Sequence, residues 1–292
     1  MFRLHKDRLK IDKKLGKGAY GSVYPYQKNE NDFKWVVKVI TGADADTLLT
    51  SLPEIVFGFA CDHPFIVPIK GYRMEKDLAH QGCYNIYIKL PRMKMSLLDD
   101  FKNRKRNNDP YTEKEITRYF YSLICGLEYL HSKKIYHGDI KPDNLLIDED
   151  GKLKIADVGI AKHVDEEDSY QTLTGQLGTY QYSAPEIIRA NRIADKKRIL
   201  PKGDVWSLGV VMLELCAFHE NKLLNSLTPQ EELMNQVHGL LDNLEERYTS
   251  PLLALIKKML SFDSKQRPSV EEVKSELETN FSRNLVNLHL NH

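Results

Sequence analysis

The 292-residue chain is 41% hydrophobic and 28% charged, a balance that supports a sizeable packed core and argues against extensive disorder. Its 42 Lys and Arg nearly cancel its 41 Asp and Glu, leaving a net charge of +1, so no global field favours nucleic acid or an anionic membrane, and neither is expected as a partner. Cys61, Cys83, Cys125 and Cys216 form no Cys-x-x-Cys pair, no apolar run reaches the ~20 residues of a membrane span, and the charged N-terminus does not read as a signal peptide; a soluble cytoplasmic protein is expected, with nuclear residence compatible.

Beyond an N-terminal extension, residues 1–8, the first motif is Gly16-Lys17-Gly18-Ala19-Tyr20-Gly21-Ser22-Val23, which follows the apolar Leu15. Glycine lets backbone approach a phosphate because no Cβ intervenes. Alone, the run also reads as a tight hairpin. A dinucleotide site would need a helix beginning inside it, whereas Ser22-Val23-Tyr24 continues as strand, which favours a flap over phosphates. Lys34 to Ile40 is a second strand pattern, with Lys38 among valines; an ammonium there reads either as an edge-strand lysine or as a phosphate anchor. Pro53 is tolerated only in a first helical turn, so the next helix is expected to start near Ser51 or Leu52 and to be short, with Ser51 and Glu54 placed to form a capping box.

Tyr84 to Leu90 alternates Ile86, Ile88 and Leu90 with polar residues, a one-faced strand. The strand texture stops at Pro91 to Met95, the expected junction between a lobe over 9–92 and a second over 93–280, followed by a tail, 281–292. Thr112 and Glu115 form a capping box ahead of Ile116, Phe120, Leu123, Leu127 and Leu130, a core-facing helical stripe. Asp204 to Leu215 is apolar nearly all round and reads as a buried helix, and Ser250-Pro251 opens another. The fold class is α+β, strands early and helices late.

The most informative segment is His137-Gly138-Asp139-Ile140-Lys141-Pro142-Asp143-Asn144-Leu145-Leu146-Ile147, followed by Lys154-Ile155-Ala156-Asp157-Val158-Gly159. Asp139, Lys141, Asn144 and Asp157 supply one base, one cation and two oxygen ligands. Phosphoryl transfer needs little more from a protein than an aligned hydroxyl and charge neutralisation.

With these motifs in order across roughly residues 9 to 280, the chain resembles the eukaryotic protein kinase superfamily. That resemblance implies a small β-rich N-lobe, a larger helical C-lobe, ATP and Mg2+ as cofactors, and a protein substrate. It implies that Leu15, Gly16, Lys17, Gly18, Ala19, Tyr20, Gly21, Ser22 and Val23 cover the nucleotide, with Val36, Leu90 (the gatekeeper position), Pro91, Met93 and Leu146 around it. Lys38 would bridge the α- and β-phosphates and pair with Glu54, Asp139 would take the hydroxyl proton, Lys141 would neutralise the γ-phosphate, and Asn144 and Asp157 would hold Mg2+. Ser183-Ala184-Pro185-Glu186 resembles the motif closing the activation segment, Arg267 its ion-pair partner, and Asp204 the acid that anchors the catalytic loop. Lys141 and Gly178-Thr179 resemble the serine/threonine branch, with tyrosine specificity the lesser alternative. A monomer is expected, and a regulatory partner protein is compatible.

Two departures from the family pattern and one basic run stand out. Gly138 replaces the arginine that in many relatives clamps an activation-loop phosphate, so activity independent of phosphorylation at Ser169, Tyr170, Thr172 or Thr174 is expected. Gly58 and Val158 replace larger apolar side chains, which predicts loose packing between the lobes. Lys102-Asn103-Arg104-Lys105-Arg106 reads as a solvated helix face before a nuclear-localisation patch. A nucleotide-binding scaffold without catalysis is the competing reading, resting on the irregularities at Gly138, Pro53 and Val158 alone.

Overall fold

A computed structural model describes residues 4–18, 21–27, 34–158, 162–163, 181–189, 193–219, 224 and 228–285. Two lobes emerge, one built on an antiparallel sheet and one almost wholly helical. The first sheet contains β1 (Gly16–Gly18), β2 (Gly21–Pro25), β3 (Trp35–Ala43), β4 (Gly71–Lys76) and β5 (Tyr84–Pro91), in the order β1-β2-β3-β5-β4. Because side chains alternate along a strand, β3 sends Val37 and Val39 to one face, where Leu9 and Tyr26 cover them. Val36, Lys38 and Ile40 take the opposite face, so the ammonium of Lys38 sits under the sheet, only 4% exposed.

Helix α1 (Ala45–Ala60) closes that second face through Ile55, which packs with Ile40, Ile69, Ile86 and Ile88. The expected start near Ser51 is wrong. Asp44 caps the helix by accepting the Thr47 N–H at 2.9 Å, and Pro53 lies deep in the interior. Ser51 forms no capping box: its hydroxyl is buried and makes no hydrogen bond. An Asp with a Thr three residues on is a sufficient N-terminal signal, and burial of Ile55 offsets the ~3 kcal/mol that an interior proline costs.

The expectation of loose interlobe packing fails as well. A Cβ on Gly58 would lie 2.6 Å from Ile69 Cδ1, so the isoleucine already fills the place of a larger side chain. Val158 is itself 3% exposed. Backbone continues the seam, with Val67 N–H donating to Ile155 O and Ile155 N–H to Phe65 O, both at 2.8 Å.

The second lobe begins with β6 (Met95–Ser96), α2 (Leu97–Asn107) and α3 (Glu113–Ser132), the last capped by the expected Thr112–Glu115 box. Ile116, Phe120, Leu123, Leu127 and Leu130 are all buried on it. Short strands β7 (Ile135–Tyr136), β8 (Leu145–Ile147), β9 (Leu153–Ile155) and β10 (Lys162–His163) follow, β6-β8-β9 forming one sheet and β7 pairing with β10. Then come α4 (Pro185–Arg189), α5 (Ile193–Ala217), α6 (Gln230–Asp242), α7 (Ser250–Met259) and α8 (Val270–Leu285). The segment from Val205 to Cys216 is the buried axis of this lobe, with Trp206, Leu208, Val211, Met212 and Leu213 at 0% exposure. In α2, Arg104 pairs with Asp100 and Glu115 and lies over Tyr111, while Lys105 reaches the Phe218 carbonyl. These two cations of the basic run serve helix packing. No helix among the described residues is long and apolar enough to cross a membrane.

Gly58→Leu should lower the free energy of unfolding by about 1–3 kcal/mol through overpacking against Ile69. Urea denaturation measures this, and an unchanged midpoint would mean the seam has room.

Candidate active site

Everything at the site hangs from the loop 137–144, which bridges β7 and β8. Asp204, 1% exposed at the start of the buried stretch of α5, accepts the N–H groups of His137 at 2.9 Å and Gly138 at 2.8 Å. Its Oδ2 also meets His131 Nε2 at 2.9 Å. Burial pushes the Asp204 carboxyl up, but the His131 hydrogen bond and the Gly138 N–H outweigh it and hold the group below the usual carboxylate range. The His137 ring works from inside the loop: Nδ1 accepts the Asp139 N–H at 3.2 Å, so Nε2 donates to Ala156 O at 2.9 Å. Gly138 takes φ +74°, and nothing stands within 4 Å of where its Cβ would be.

This suspension presents Asp139, 7% exposed, to the cleft. Lys141 Nζ lies 2.7 Å from its Oδ2, and Asn144 Nδ2 donates to the same oxygen and to the Asp139 carbonyl, each at 2.9 Å. Since Asn144 spends its NH2 group on Asp139, its amide oxygen faces away from that carboxylate. Ala156 N–H bonds Asn144 O at 2.8 Å, tying the loop to the segment that carries Asp157. Asp157 has φ +61°, a left-handed conformation costly for a residue with a side chain. It meets Lys38 Nζ from β3 at 2.5 Å. Lys38 with Asp157, and Asp139 with Lys141 and Asn144, thus form two polar clusters, tied together through the Ala156 N–H bond to Asn144 O.

Around them, Gly16 pairs with Val23, Lys17 with Ser22 and Gly18 with Gly21 in the flap. A Cβ on Gly21 would lie 2.6 Å from Val39 O, so only glycine lets the flap approach β3. Leu15 N–H donates to Val23 O at 2.8 Å. Val36 lies opposite Leu90, and Trp35 opposite Pro91, on β3 and β5. Met93 follows on the connection, and Leu146 is half-buried on β8. Ala19, Tyr20, the Glu54 side chain and the segment holding Ser169, Tyr170, Thr172, Thr174, Gly178 and Thr179 lie outside the described residues.

Below the site, the expected Glu186–Arg267 pair is bidentate, at 2.6 and 3.2 Å. Arg267, 1% exposed, also bonds Ser261 O and Lys202 O and lies over Trp206. Sequence reasoning missed His131 as the third partner of Asp204 and Lys202 as a donor to Arg267 O. Nothing in spacing marks either, because both contacts join distant stretches of chain.

The sequence matches the family model described as a protein kinase domain over residues 9–277. It is 28% identical over 306 residues to the mitogen-activated protein kinase spm1 of Cytospora mali, covering 91% of this chain and 68% of that protein. It is 31% identical over 245 residues to the mitogen-activated protein kinase sma-5 of Caenorhabditis elegans, covering 79% of this chain and 44% of that protein. With serine/threonine-protein kinase 32B of Homo sapiens the identity is 28% over 269 residues, covering 90% and 61%. The chain belongs to the eukaryotic-type protein kinase superfamily, in its serine/threonine branch.

The depressed Asp204 value means that its stabilisation is complete above the ordinary carboxylate pKa and is lost as pH falls through the folded value. Asp204→Asn should therefore flatten the acid limb of a stability–pH profile and cost about 3 kcal/mol at neutral pH, since it strips a buried set of charge-assisted bonds. Urea titrations from neutral pH into the carboxylate range measure both.

Proposed function

We propose that this protein transfers the γ-phosphate of ATP to serine or threonine hydroxyls of protein substrates. The observation that supports this reading is the pair of clusters, Lys38 with Asp157 and Asp139 with Lys141 and Asn144, joined by the Ala156 N–H bond to Asn144 O. Asp139 is the candidate acceptor of the hydroxyl proton, and its bonds from Lys141 and Asn144 fix which way the carboxylate points. Lys141 stands beside it as the cation for the transferred group, and Lys38 as the anchor for the phosphates further back.

The donors fit a hard divalent cation. Asp157 offers a carboxylate and Asn144 an amide oxygen turned away from Asp139, the ligand types that Mg2+ prefers. Such an ion, when bound, neutralises charge on the phosphate oxygens. Lys38 pairs with the Asp157 carboxylate and so restrains the orientation of that candidate ligand.

Nucleotide is assigned to the space under the flap, between Val36 and Leu146, with the Pro91 carbonyl and Met93 amide as the edge that reads the base. Lobes over 9–92 and 93–280 meet there. Arg92 N–H bonds Lys34 O on the sheet side at 2.9 Å, and Lys94 N–H bonds Ile147 O on the helical side at 2.8 Å, which supports the boundary. Glu54 is proposed as the second partner of Lys38, from the middle of α1 rather than its first turn.

With Asp139→Asn, kcat should fall by about 10²–10⁴ while ATP affinity is retained. Radiolabelled transfer to a generic protein substrate tests this; equal rates for the two chains would sink the enzymatic reading. Because Gly138 supplies no guanidinium to a loop phosphate, Thr172→Ala with Thr174→Ala should leave activity intact. Loss of activity in that double variant, restored by acidic residues, would refute phosphorylation independence.

A further inference from the structure

The outer face of the sheet is covered by the chain's own residues 4–10. At one end of this segment Leu9 bridges Tyr26, just past β2, with Lys10 N–H donating to Pro25 O at 3.1 Å and Gln27 N–H to Arg8 O at 2.9 Å. A short 3-10 turn, Lys6–Arg8, precedes that bridge. At the other end Lys6 Nζ lies 3.3 Å from Glu75 Oε2 on β4, the edge strand on the far side of β5. In between, Leu4 and Leu9 share one apolar cluster with Val37 and Val39 of β3 and Tyr87 of β5. The segment therefore crosses from β2 to β4 over β3 and β5.

Its two fastenings differ in strength. Leu9 is 8% exposed and Tyr26 4%, and the Tyr26 hydroxyl accepts the His5 N–H at 3.1 Å. The Lys6 end is an ion pair whose lysine side chain is 74% exposed, a kind of contact that contributes little and weakens with salt. Glu75 does not depend on it. Arg73 Nε lies 2.7 Å from its Oε1, and that bond foremost, helped by Lys6 and opposed by burial, holds the carboxyl below its ordinary value. Since Glu75 keeps one cation when the other leaves, the segment can lift from its Lys6 end without stranding a charge.

The strand beneath carries this cover on one face and the ammonium of Lys38 on the other, because Val37 and Val39 alternate with Lys38 along β3. Ser22 pairs with Val39 and Val23 with Lys38, so the same strand also holds the base of the flap. We propose that residues 4–10 are a releasable strap whose closed form holds β2 and β3, and with them the flap and Lys38, in the nucleotide-binding arrangement. The inference rests on the nucleotide reading given above. By linkage, a strap that raises nucleotide affinity when it closes is itself closed by nucleotide.

Lys6→Glu opposes two carboxylates at the weak end, in a chain that stays folded because the side chain already faces water; Lys6→Glu combined with Glu75→Lys restores an opposite-charge pair. In hydrogen exchange on the full chain without nucleotide, Lys6→Glu should speed the Lys10 and Gln27 amides by about threefold or more, and the β3 amides of Val37, Lys38 and Val39 with them, while α3 and α5 keep native rates. ATP should bind this variant about threefold or more weakly, and the charge swap should recover both readings. ATP added to the native chain should slow exchange at Lys10 and Gln27. Faster exchange confined to Lys10 and Gln27, or a charge swap that recovers neither reading, would reduce the segment to a passive cover and overturn the proposal. The two failures separate: no ATP binding by the native chain overturns the nucleotide reading and the strap's role with it, whereas equal ATP affinity of the native and Lys6→Glu chains overturns the strap alone.

Discussion

The buried carboxylate of Asp204 is the point from which the site is suspended. It stands at 1% exposure in a helix whose neighbouring side chains are apolar, and it keeps its charge only because two backbone N–H groups and His131 are directed at it. A buried anion without such donors would protonate or force the loop open. The loop 137–144 therefore takes its shape from the helical core and passes that shape on to Asp139 and Asn144. Gly138 is part of the same constraint, because one of the two donated amides is its own and its φ of +74° turns the chain that follows toward Asp139.

Where Asp204 sets the lower half of the cleft, Lys38 joins it to the upper half. The lysine belongs to a central strand of the sheet, and its partner Asp157 belongs to the segment after β9. A left-handed aspartate is a costly conformation, and it persists here with Ala156 pinned to both His137 and Asn144 on one side and Val158 buried on the other. The strain falls on the residue proposed as a metal ligand, while the neighbours that enforce it are ordinary packing.

Helix α1 has two faces with opposite fates. One is packed so closely that Gly58 has no space for a side chain, and Ser51 is buried there without a hydrogen bond. The other exposes leucine, valine and phenylalanine beside aspartates.

Much of this was determined by sequence alone. Glycine spacing marked the β1–β2 hairpin, an ammonium among valines marked Lys38, and the run from His137 to Asp157 named the groups of the candidate site, because each signal is local and depends on residue type and short spacing. The Thr112–Glu115 cap and the buried helix after Asp204 were legible for the same reason. Only the tertiary structure decided where α1 begins, since the rule against interior proline was outweighed by an earlier cap and by the burial of Ile55. It alone decided that Ile69 fills the space above Gly58, that His131 completes the shell around Asp204, and that Lys202 reaches Arg267. Those contacts join residues far apart along the chain, and the energies that select them come from desolvation and close packing, which no short window of sequence contains.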